Sequence, residues 1–172
     1  MVALALLTSL ALAQASPALP SMTVRDEDGA GFALSSLAGK PVVLTMAYTN
    51  CKTRCPMTIN AMKKVEASFV AAGVPVQVVV ITLDPHNDSP EKLKATRAVR
   101  SLGPQWHLLV ASDEQTTQLL ASLQVKARRD DFHIDHEAKV FVFDSQLSLR
   151  TQYSGWKFDV DEPVRLLAEK RP

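Results

Sequence analysis

Short apolar runs alternate with segments that carry apolar residues at helical spacing along most of this chain. Three near-continuous apolar runs predict strands that are covered on both faces: Val42–Tyr48, Val76–Leu83 and Trp106–Ala111. The segments that follow them predict helices, at about Pro56–Ala72, Pro90–Leu102 and Asp113–Ser122. This alternation of strands and helices is typical of an α/β fold.

Further elements flank this central pattern. Two short strands joined by a glycine-containing turn predict an extra N-terminal hairpin, and a helical turn follows it: Ser21–Val24, Phe32–Leu34 and Ser35–Pro41. The last part of the chain predicts a second hairpin and a closing helix: Lys139–Asp144, Leu147–Tyr153 and Asp161–Glu169. We therefore expect an α/β, thioredoxin-like fold, with a central mixed sheet, helices on both faces and the extra N-terminal hairpin.

The first residues differ in composition from the rest. Val2–Ala13 is apolar and is followed by small-residue cleavage patterns at 11–13 and 13–15, which predicts a signal peptide at residues 1–15. No Lys or Arg precedes Arg25, and this missing basic segment suggests a start codon further upstream. The domain at residues 16–172 is therefore expected in the periplasm, soluble after cleavage or anchored at the inner membrane if the signal is uncleaved.

Size and charge narrow the function classes. A chain of 172 residues with 47% hydrophobic content suits one domain with a sizeable core. The net charge is +1, and acidic and basic residues are interleaved without long runs. A basic stripe would be needed for nucleic-acid binding, so we expect no nucleic-acid partner.

Cys51 and Cys55 are the only cysteines, and both lie at the turn between the first central strand and its helix. A helix N-terminus offers unpaired N–H groups and a positive dipole end, and Lys52 and Arg54 add positive charge. We therefore expect two thiolates of low pKa that can close a disulfide or bind a soft metal ion. A purely structural disulfide is the simpler alternative in an oxidising compartment. However, so short a loop would constrain the unfolded chain by about 2 kcal/mol or less.

Several motifs, taken in order, resemble the SCO/SenC family. The matching segments are Gly39–Leu44, Tyr48–Cys51, Cys55–Pro56, Thr82–Pro85, Asp88–Leu93 and Ile134–His136. The resemblance implies a thioredoxin-like fold and a copper-binding role in assembling the binuclear copper site of cytochrome c oxidase, with thiol redox activity beside it. It also implies that Cys51, Cys55 and His136 are the ligands of a copper ion, Cu(I) or Cu(II).

The donor types agree with that implication, because two thiolates suit Cu(I) and an imidazole helps to accommodate Cu(II). One departure is that Lys52-Thr53-Arg54 stands between the cysteines, where many relatives carry Pro and an acidic residue. Two cations there would stabilise thiolate and disfavour Cu(II), which leaves the preferred oxidation state open. His136 is expected on the loop where thioredoxin-like oxidoreductases carry a cis-proline, and no proline lies between Pro104 and Pro163.

Other residues are weaker candidates. His133 is expected to be an exposed loop residue, His86 is a third candidate at the same edge of the sheet, and His107 is expected to be structural. Asp84 could orient His136 through a hydrogen bond or simply form the turn before its proline. The fifth of these residues, Met57, is expected to be in the core because its neighbours follow helical spacing.

Three functions remain open from the sequence. The first is a copper metallochaperone whose partners are the copper-site subunit of cytochrome c oxidase, a periplasmic thiol reductase and another copper chaperone. The second is a thiol–disulfide oxidoreductase that uses Cys51 and Cys55 as a redox pair on that copper site or on other exported proteins. The third is a copper or redox sensor. The three-residue gap between the cysteines counts against a general thioredoxin-type enzyme, and His136 favours metal binding.

Overall fold

The computed structural model describes residues 17–130 and 133–168. The predicted signal peptide at residues 1–15, and Glu169 at the predicted end of the last helix, lie outside the described residues. The strands are β1 Thr23–Asp26, β2 Gly31–Ala33, β3 Val42–Ala47, β4 Gln77–Thr82, β5 Trp106–Val110, β6 Ala127–Arg129, β7 Ile134–His136, β8 Lys139–Phe143 and β9 Leu149–Ser154. The helices are α1 Arg54–Ala71, α2 Pro90–Arg100, α3 Asp113–Ser122 and α4 Glu162–Ala168, with a 3-10 turn at Leu34–Leu37. Within these ranges, no helix is both long enough and apolar enough to cross a membrane.

One mixed sheet forms the centre of the described fold, with the strand order β2-β1-β5-β4-β3-β8-β9. Its three inner strands β5, β4 and β3 are parallel, so α1 and α2 are the crossovers that join them. Right-handed crossovers put both helices on one face of the sheet. Lys63 Nζ of α1 accordingly donates to the carbonyl of Arg100 at the end of α2, at 2.6 Å. The predicted α/β class, with its central mixed sheet and N-terminal β1–β2 hairpin, is confirmed.

The register of the sheet gathers three chain segments at one edge. Ala47 of β3 lies beside Thr82 of β4 in parallel, so the loops after both strands leave the same edge. Strand β8 is antiparallel to β3, with Thr45 beside Val140, so β8 starts at this edge. Residues that follow β3, follow β4 and precede β8 therefore meet, which is the usual place for ligand sites in such sheets.

A second, two-stranded sheet was not predicted. Strands β6 and β7 pair antiparallel, with Ala127 opposite His136 and Arg129 opposite Ile134. The prediction that His136 lies on a loop is therefore wrong, because it is the last residue of β7. All three residues of β6 are exposed, and β7 alternates between buried and exposed residues over only three positions, which is too short to predict a strand.

The core confirms the central elements and corrects one prediction. Strand β3 is buried along its whole length, as its continuous apolar run predicts. Met62 and Val65 on α1 are fully buried, but Met57 is 46% exposed, so its predicted place in the core is wrong. The helix begins at Arg54, two residues earlier than predicted, and Met57 lies on the outer side of its first turn.

Candidate metal centre

The three predicted ligand residues come from different elements and lie at the same edge of the sheet. Cys51 is in the bend between β3 and α1, Cys55 is the second residue of α1, and His136 ends β7. Both cysteines are free thiols. Their exposed fractions are 4% and 5%, and that of His136 is 7%, so all three are buried just below the surface.

Cys55 lies between the other two residues. Its backbone N–H donates to Cys51 Sγ at 3.3 Å, and its thiol contacts the Cys51 thiol. On the other side, Cys55 Sγ is 4.0 Å from His136 Nε2. Cys51 therefore precedes the helix and satisfies one of its free N–H groups.

The two thiols differ in acidity. Burial opposes ionisation of Cys51, but hydrogen bonds from the backbone and thiol of Cys55, and from the backbone of Thr53 and Arg54, lower its pKa overall. Burial raises the pKa of Cys55 to about 12, and the backbone hydrogen bond from Tyr48 offsets this only in part. The prediction of two thiols of low pKa therefore agrees with Cys51 and is wrong for Cys55. The helix N-terminus does not overcome desolvation at the more deeply placed sulfur.

His136 presents a nitrogen lone pair to Cys55. Burial lowers the pKa of His136, and the positive charge of Arg54 acts in the same direction, which favours the neutral imidazole. Nδ1 of the ring is 3.2 Å from the carbonyl oxygen of Glu137, so this contact assigns the ring proton to Nδ1. Nε2 is then free to accept or to bind a metal, and a carbonyl partner of this kind commonly fixes a metal-binding histidine.

This donor set fits a metal ion in part. Bond lengths of about 2.3 Å to sulfur and about 2.1 Å to nitrogen, as for zinc, allow one ion between atoms up to about 4.4 Å apart. The 4.0 Å separation of Cys55 Sγ and His136 Nε2 lies within that limit. However, nowhere in residues 17–130 and 133–168 do three Cys, His, Asp or Glu side chains already form a metal-holding group. Cys51 Sγ faces the N–H of Cys55, so a three-donor site requires Cys51 to turn from that N–H to the ion.

Two residues around this centre were not assigned a role from the sequence. Tyr48 is buried, and its ring meets the His136 ring edge to face. Asp88 is fully buried and accepts hydrogen bonds from the backbone N–H and hydroxyl of Thr49 and from the hydroxyl of Thr82. Asp88 thus ties the segment before Cys51 to the end of β4. Both residues are within the motifs that resemble the family, and that position was the available signal.

The remaining histidines lie apart from the cysteines. His133 is exposed and its Nδ1 is 2.7 Å from the Tyr48 hydroxyl. His86 is exposed and pairs with Asp113 at 3.1 Å. His107 lies at the opposite end of the sheet, where its Nε2 is 3.1 Å from the Gln77 side chain, which confirms its expected structural role.

Asp84 follows the turn-forming alternative rather than the orienting one. Its backbone carbonyl accepts from Asn87 and Asp88, and its carboxylate accepts from the Asn87 amide and from Arg129, the latter at 2.8 Å. His136 is held by the Glu137 carbonyl instead. The side chain of Asp84 therefore fixes the loop after β4 and anchors β6 through Arg129.

The surface beside His136 is open to an incoming group. A cavity of about 350 Å³ is lined by His136 together with charged residues of both signs: Arg54, Lys126, Arg128, Asp135 and Glu137. Lys52 and Arg54 are exposed on the segment between the cysteines. A partner can therefore approach the buried donors from the His136 side.

Comparison with known sequences gives one family. The family described as SCO1/SenC matches residues 12–168. The SCO1 protein homolog of Bacillus subtilis is 28% identical over 106 residues, which cover 61% of this chain and 55% of that protein. The chain thus spans about half the length of this curated relative.

Solved structures give the same fold. The Arabidopsis thaliana ScoI structure with copper bound matches with a TM-score of 0.79 and 21% identity, covering 90% of this chain and 99% of that one. BsSco, a member of the Sco family of cytochrome c oxidase assembly proteins described with a disulfide switch, matches with a TM-score of 0.77 and 21% identity, covering 89% and 92%. At these identities the likeness establishes the fold, and the predicted thioredoxin-like architecture is confirmed.

Proposed function

The chain belongs to the SCO1/SenC family, and from that membership we propose that it is a periplasmic copper metallochaperone. In this proposal Cys51, Cys55 and His136 bind one copper ion. The protein delivers the ion to the copper-site subunit of cytochrome c oxidase during assembly of the binuclear copper site. A separate periplasmic thiol reductase and another copper chaperone complete the set of proposed partners.

One observation carries the proposal. Cys55 contacts the Cys51 thiol on one side and is 4.0 Å from the free lone pair of His136 Nε2 on the other. Two sulfur donors and one imidazole are a set that suits Cu(I) and can also accommodate Cu(II). The copper-bound Arabidopsis relative and the oxidase-assembly description of BsSco support the same function.

The residues of the chain also suit a donor of metal. Loading requires the Cys55 thiol to give up its proton, so copper binding is coupled to proton release. His136 Nδ1 stays bound to the Glu137 carbonyl, which keeps Nε2 directed to the ion. Three protein donors leave a position for a ligand of the acceptor, and the cavity beside His136 offers its approach.

The proposed reductase follows from the chemistry of the cysteines. Copper binding needs both thiols reduced, while export into an oxidising compartment favours a Cys51–Cys55 disulfide. A separate reductase must therefore reduce this pair whenever it has formed the disulfide, before copper can be loaded. Cysteines that stay fully reduced in cells lacking all periplasmic thiol reductases would contradict this part of the proposal.

A specific observation also favours the second function, a thiol–disulfide oxidoreductase. Cys51 has a lowered pKa and Cys55 a raised one, which is the asymmetry of an attacking and a resolving thiol. In that reaction Cys51 would attack a target disulfide, and Cys55 would then release the reduced target by closing the Cys51–Cys55 disulfide. His136 has no necessary part in such an exchange.

A copper titration of the reduced protein separates the two functions. Wild type is compared with His136→Ala and with the matched control His86→Ala, since His86 is an exposed histidine at the same edge of the sheet. We expect a one-to-one Cu(II) complex with a sulfur-to-copper charge-transfer band in wild type and in His86→Ala. The band should be lost or weakened in His136→Ala.

The opposite result is equally clear. Copper held only by weak surface binding in all three proteins, together with rapid cycling of Cys51 and Cys55 against a dithiol, would replace the metallochaperone with the oxidoreductase. Equal loss of the band in His86→Ala and His136→Ala would contradict the proposed ligand set.

A further inference from the structure

Tyr48 contacts both cysteines through its backbone. It follows the end of β3 and is three residues before Cys51. Its carbonyl oxygen accepts the N–H of Cys51 at 3.3 Å, and its backbone N–H donates to the Cys55 sulfur. The position of Tyr48 is therefore fixed relative to both sulfurs.

The side chain of Tyr48 reaches the strand that carries His136. Its hydroxyl is 2.7 Å from His133 Nδ1, and it accepts the backbone N–H of Ile134 at 3.4 Å. The same hydroxyl is 3.4 Å from the Ile134 carbonyl oxygen. Its ring meets the His133 and His136 rings edge to face, each with centroids 6.0 Å apart. The Tyr48 side chain thus contacts His133 just before β7, the backbone of Ile134 at the start of the strand and the ring of His136 at its end.

Strand β7 needs contacts from outside its own small sheet to hold it in place. It pairs only with β6 in the described sheets, and each strand has three residues. Two-stranded sheets of this size are marginally stable on their own. Arg129 anchors β6 to the loop after β4 through Asp84, whereas Tyr48 anchors β7 to β3. The distance between His136 and Cys55 therefore depends on the Tyr48 contact.

We propose that the Tyr48 hydroxyl, with His133 as its partner, is a positioning device that holds His136 against Cys55. This inference rests on the proposed function for its metal readout. Two thiolates suffice for Cu(I), whereas Cu(II) depends on the imidazole. Loss of the hydroxyl should therefore weaken the Cu(II) complex and spare the Cu(I) complex.

The test compares Tyr48→Phe with Tyr153→Phe. Phenylalanine keeps the ring and removes only the hydroxyl. Tyr153 is the other tyrosine of the chain, and it lies on β9, two strands away from β3, where it stacks on Phe158. A third variant, His133→Ala, removes the hydrogen-bond partner and leaves the hydroxyl in place.

Two readouts are metal-free. Amide hydrogen exchange of the metal-free reduced protein reports how firmly β7 is held, and the imidazole NMR signals of His136 report its surroundings. Two further readouts use copper alone: the Cu(II) charge-transfer band, and Cu(I) affinity from competition with a chromophoric chelator.

The expected result has a distinct pattern. In Tyr48→Phe, Ile134–His136 exchange faster and the His136 signals shift, while Cu(II) binds several-fold to about tenfold more weakly, because the contacts of the hydroxyl with His133 and Ile134 are lost. Cu(I) affinity stays within about twofold, because the thiols are retained. His133→Ala gives a smaller change in the same direction, and Tyr153→Phe changes neither exchange at β7 nor copper binding.

Other patterns overturn the inference. Unchanged exchange at β7 in Tyr48→Phe would show that the hydroxyl does not hold the strand. Equal losses of Cu(I) and Cu(II) affinity would show a general effect on the fold instead of positioning of His136. If Cu(II) binding survives in His136→Ala, the ligand set of the proposed function fails, while the metal-free exchange still decides whether Tyr48 holds β7.

Discussion

Replacing Asp88 with alanine should destabilise the reduced protein by about 3.5–5 kcal/mol. Asp88 is fully buried and accepts the Thr82 hydroxyl at 2.5 Å, and that hydroxyl is buried too. A buried hydrogen bond to a charged group contributes about 1.5–3 kcal/mol. The backbone N–H and the hydroxyl of Thr49 also donate to Asp88, but both are half-buried. Because water can replace part of each of these hydrogen bonds, each contributes about 1 kcal/mol to the stability.

Chemical denaturation with urea at pH 7 measures this free energy of unfolding from the midpoint and the slope. The matched control is Asp28→Ala, because Asp28 forms an exposed ion pair with Lys94 at 2.5 Å that solvent screens. Its midpoint should match that of wild type. A third variant, Thr82→Val, removes one donor, so Asp88→Ala should cost less in that background than in wild type.

A loss below about 1 kcal/mol for Asp88→Ala, with an unchanged slope, would refute the reasoning that Asp88 ties two segments of the fold. If the stability losses of Asp88→Ala and Thr82→Val simply add in the double variant, Thr82 is not the hydrogen-bond partner of Asp88. Since Thr49 is two residues before Cys51, we also expect the Cys51 thiol to react faster with a thiol reagent in Asp88→Ala.

Three further predictions concern stability. Ser112→Ala removes the side chain that caps α3 by accepting the N–H of Gln115, and it should cost about 1 kcal/mol, which Ser112→Asp should recover. Phe69→Ala should cost about 3–5 kcal/mol because Phe69 is fully buried, whereas Val70→Ala at a 66% exposed position should cost little, and equal costs would contradict the described core. Burial lowers the pKa of His107, so its contribution to stability is complete above the unfolded pKa near 6.5 and is lost as the pH falls through the lower folded pKa. Unfolding free energy measured from pH 7 to 5 should therefore fall less steeply in His107→Gln, and an unchanged slope would contradict this.

Much of the sheet could be predicted because its centre is buried on both faces. The runs Val42–Tyr48 and Val76–Leu83 have few polar residues, and only a covered strand tolerates such a run. The order of elements then placed the cysteines at the carboxyl end of β3, which the register confirms. Strand β7 could not be predicted this way, since its three residues are held by β6 and by Tyr48 rather than by a pattern of their own.

The residues of the candidate site could be named from the sequence, but their acidity and burial could not. The helix N-terminus and the flanking cations indicated acidic thiols at both cysteines, but the pKa of Cys55 is set by burial, which only the packed fold defines. Met57 was misplaced because it lies five residues before the buried Met62, about 140° away around the helix, and so faces solvent instead of the core. The role of Cys51, Cys55 and His136 as a ligand set remains a prediction.

If Cys55 and His136 bind copper as proposed, their separation of 81 residues in the sequence would link copper chemistry to the completion of folding. An exported chain that has not yet folded already has both thiols within one short segment, so under the proposed function it would capture Cu(I) before any tertiary structure exists. Ligands that also bind the unfolded chain stabilise the native state less. The Cu(II) form of the proposed site, in contrast, requires β7 to have docked beside β3. The oxidation state of the copper ion that a molecule can bind would then show whether that molecule has completed its folding.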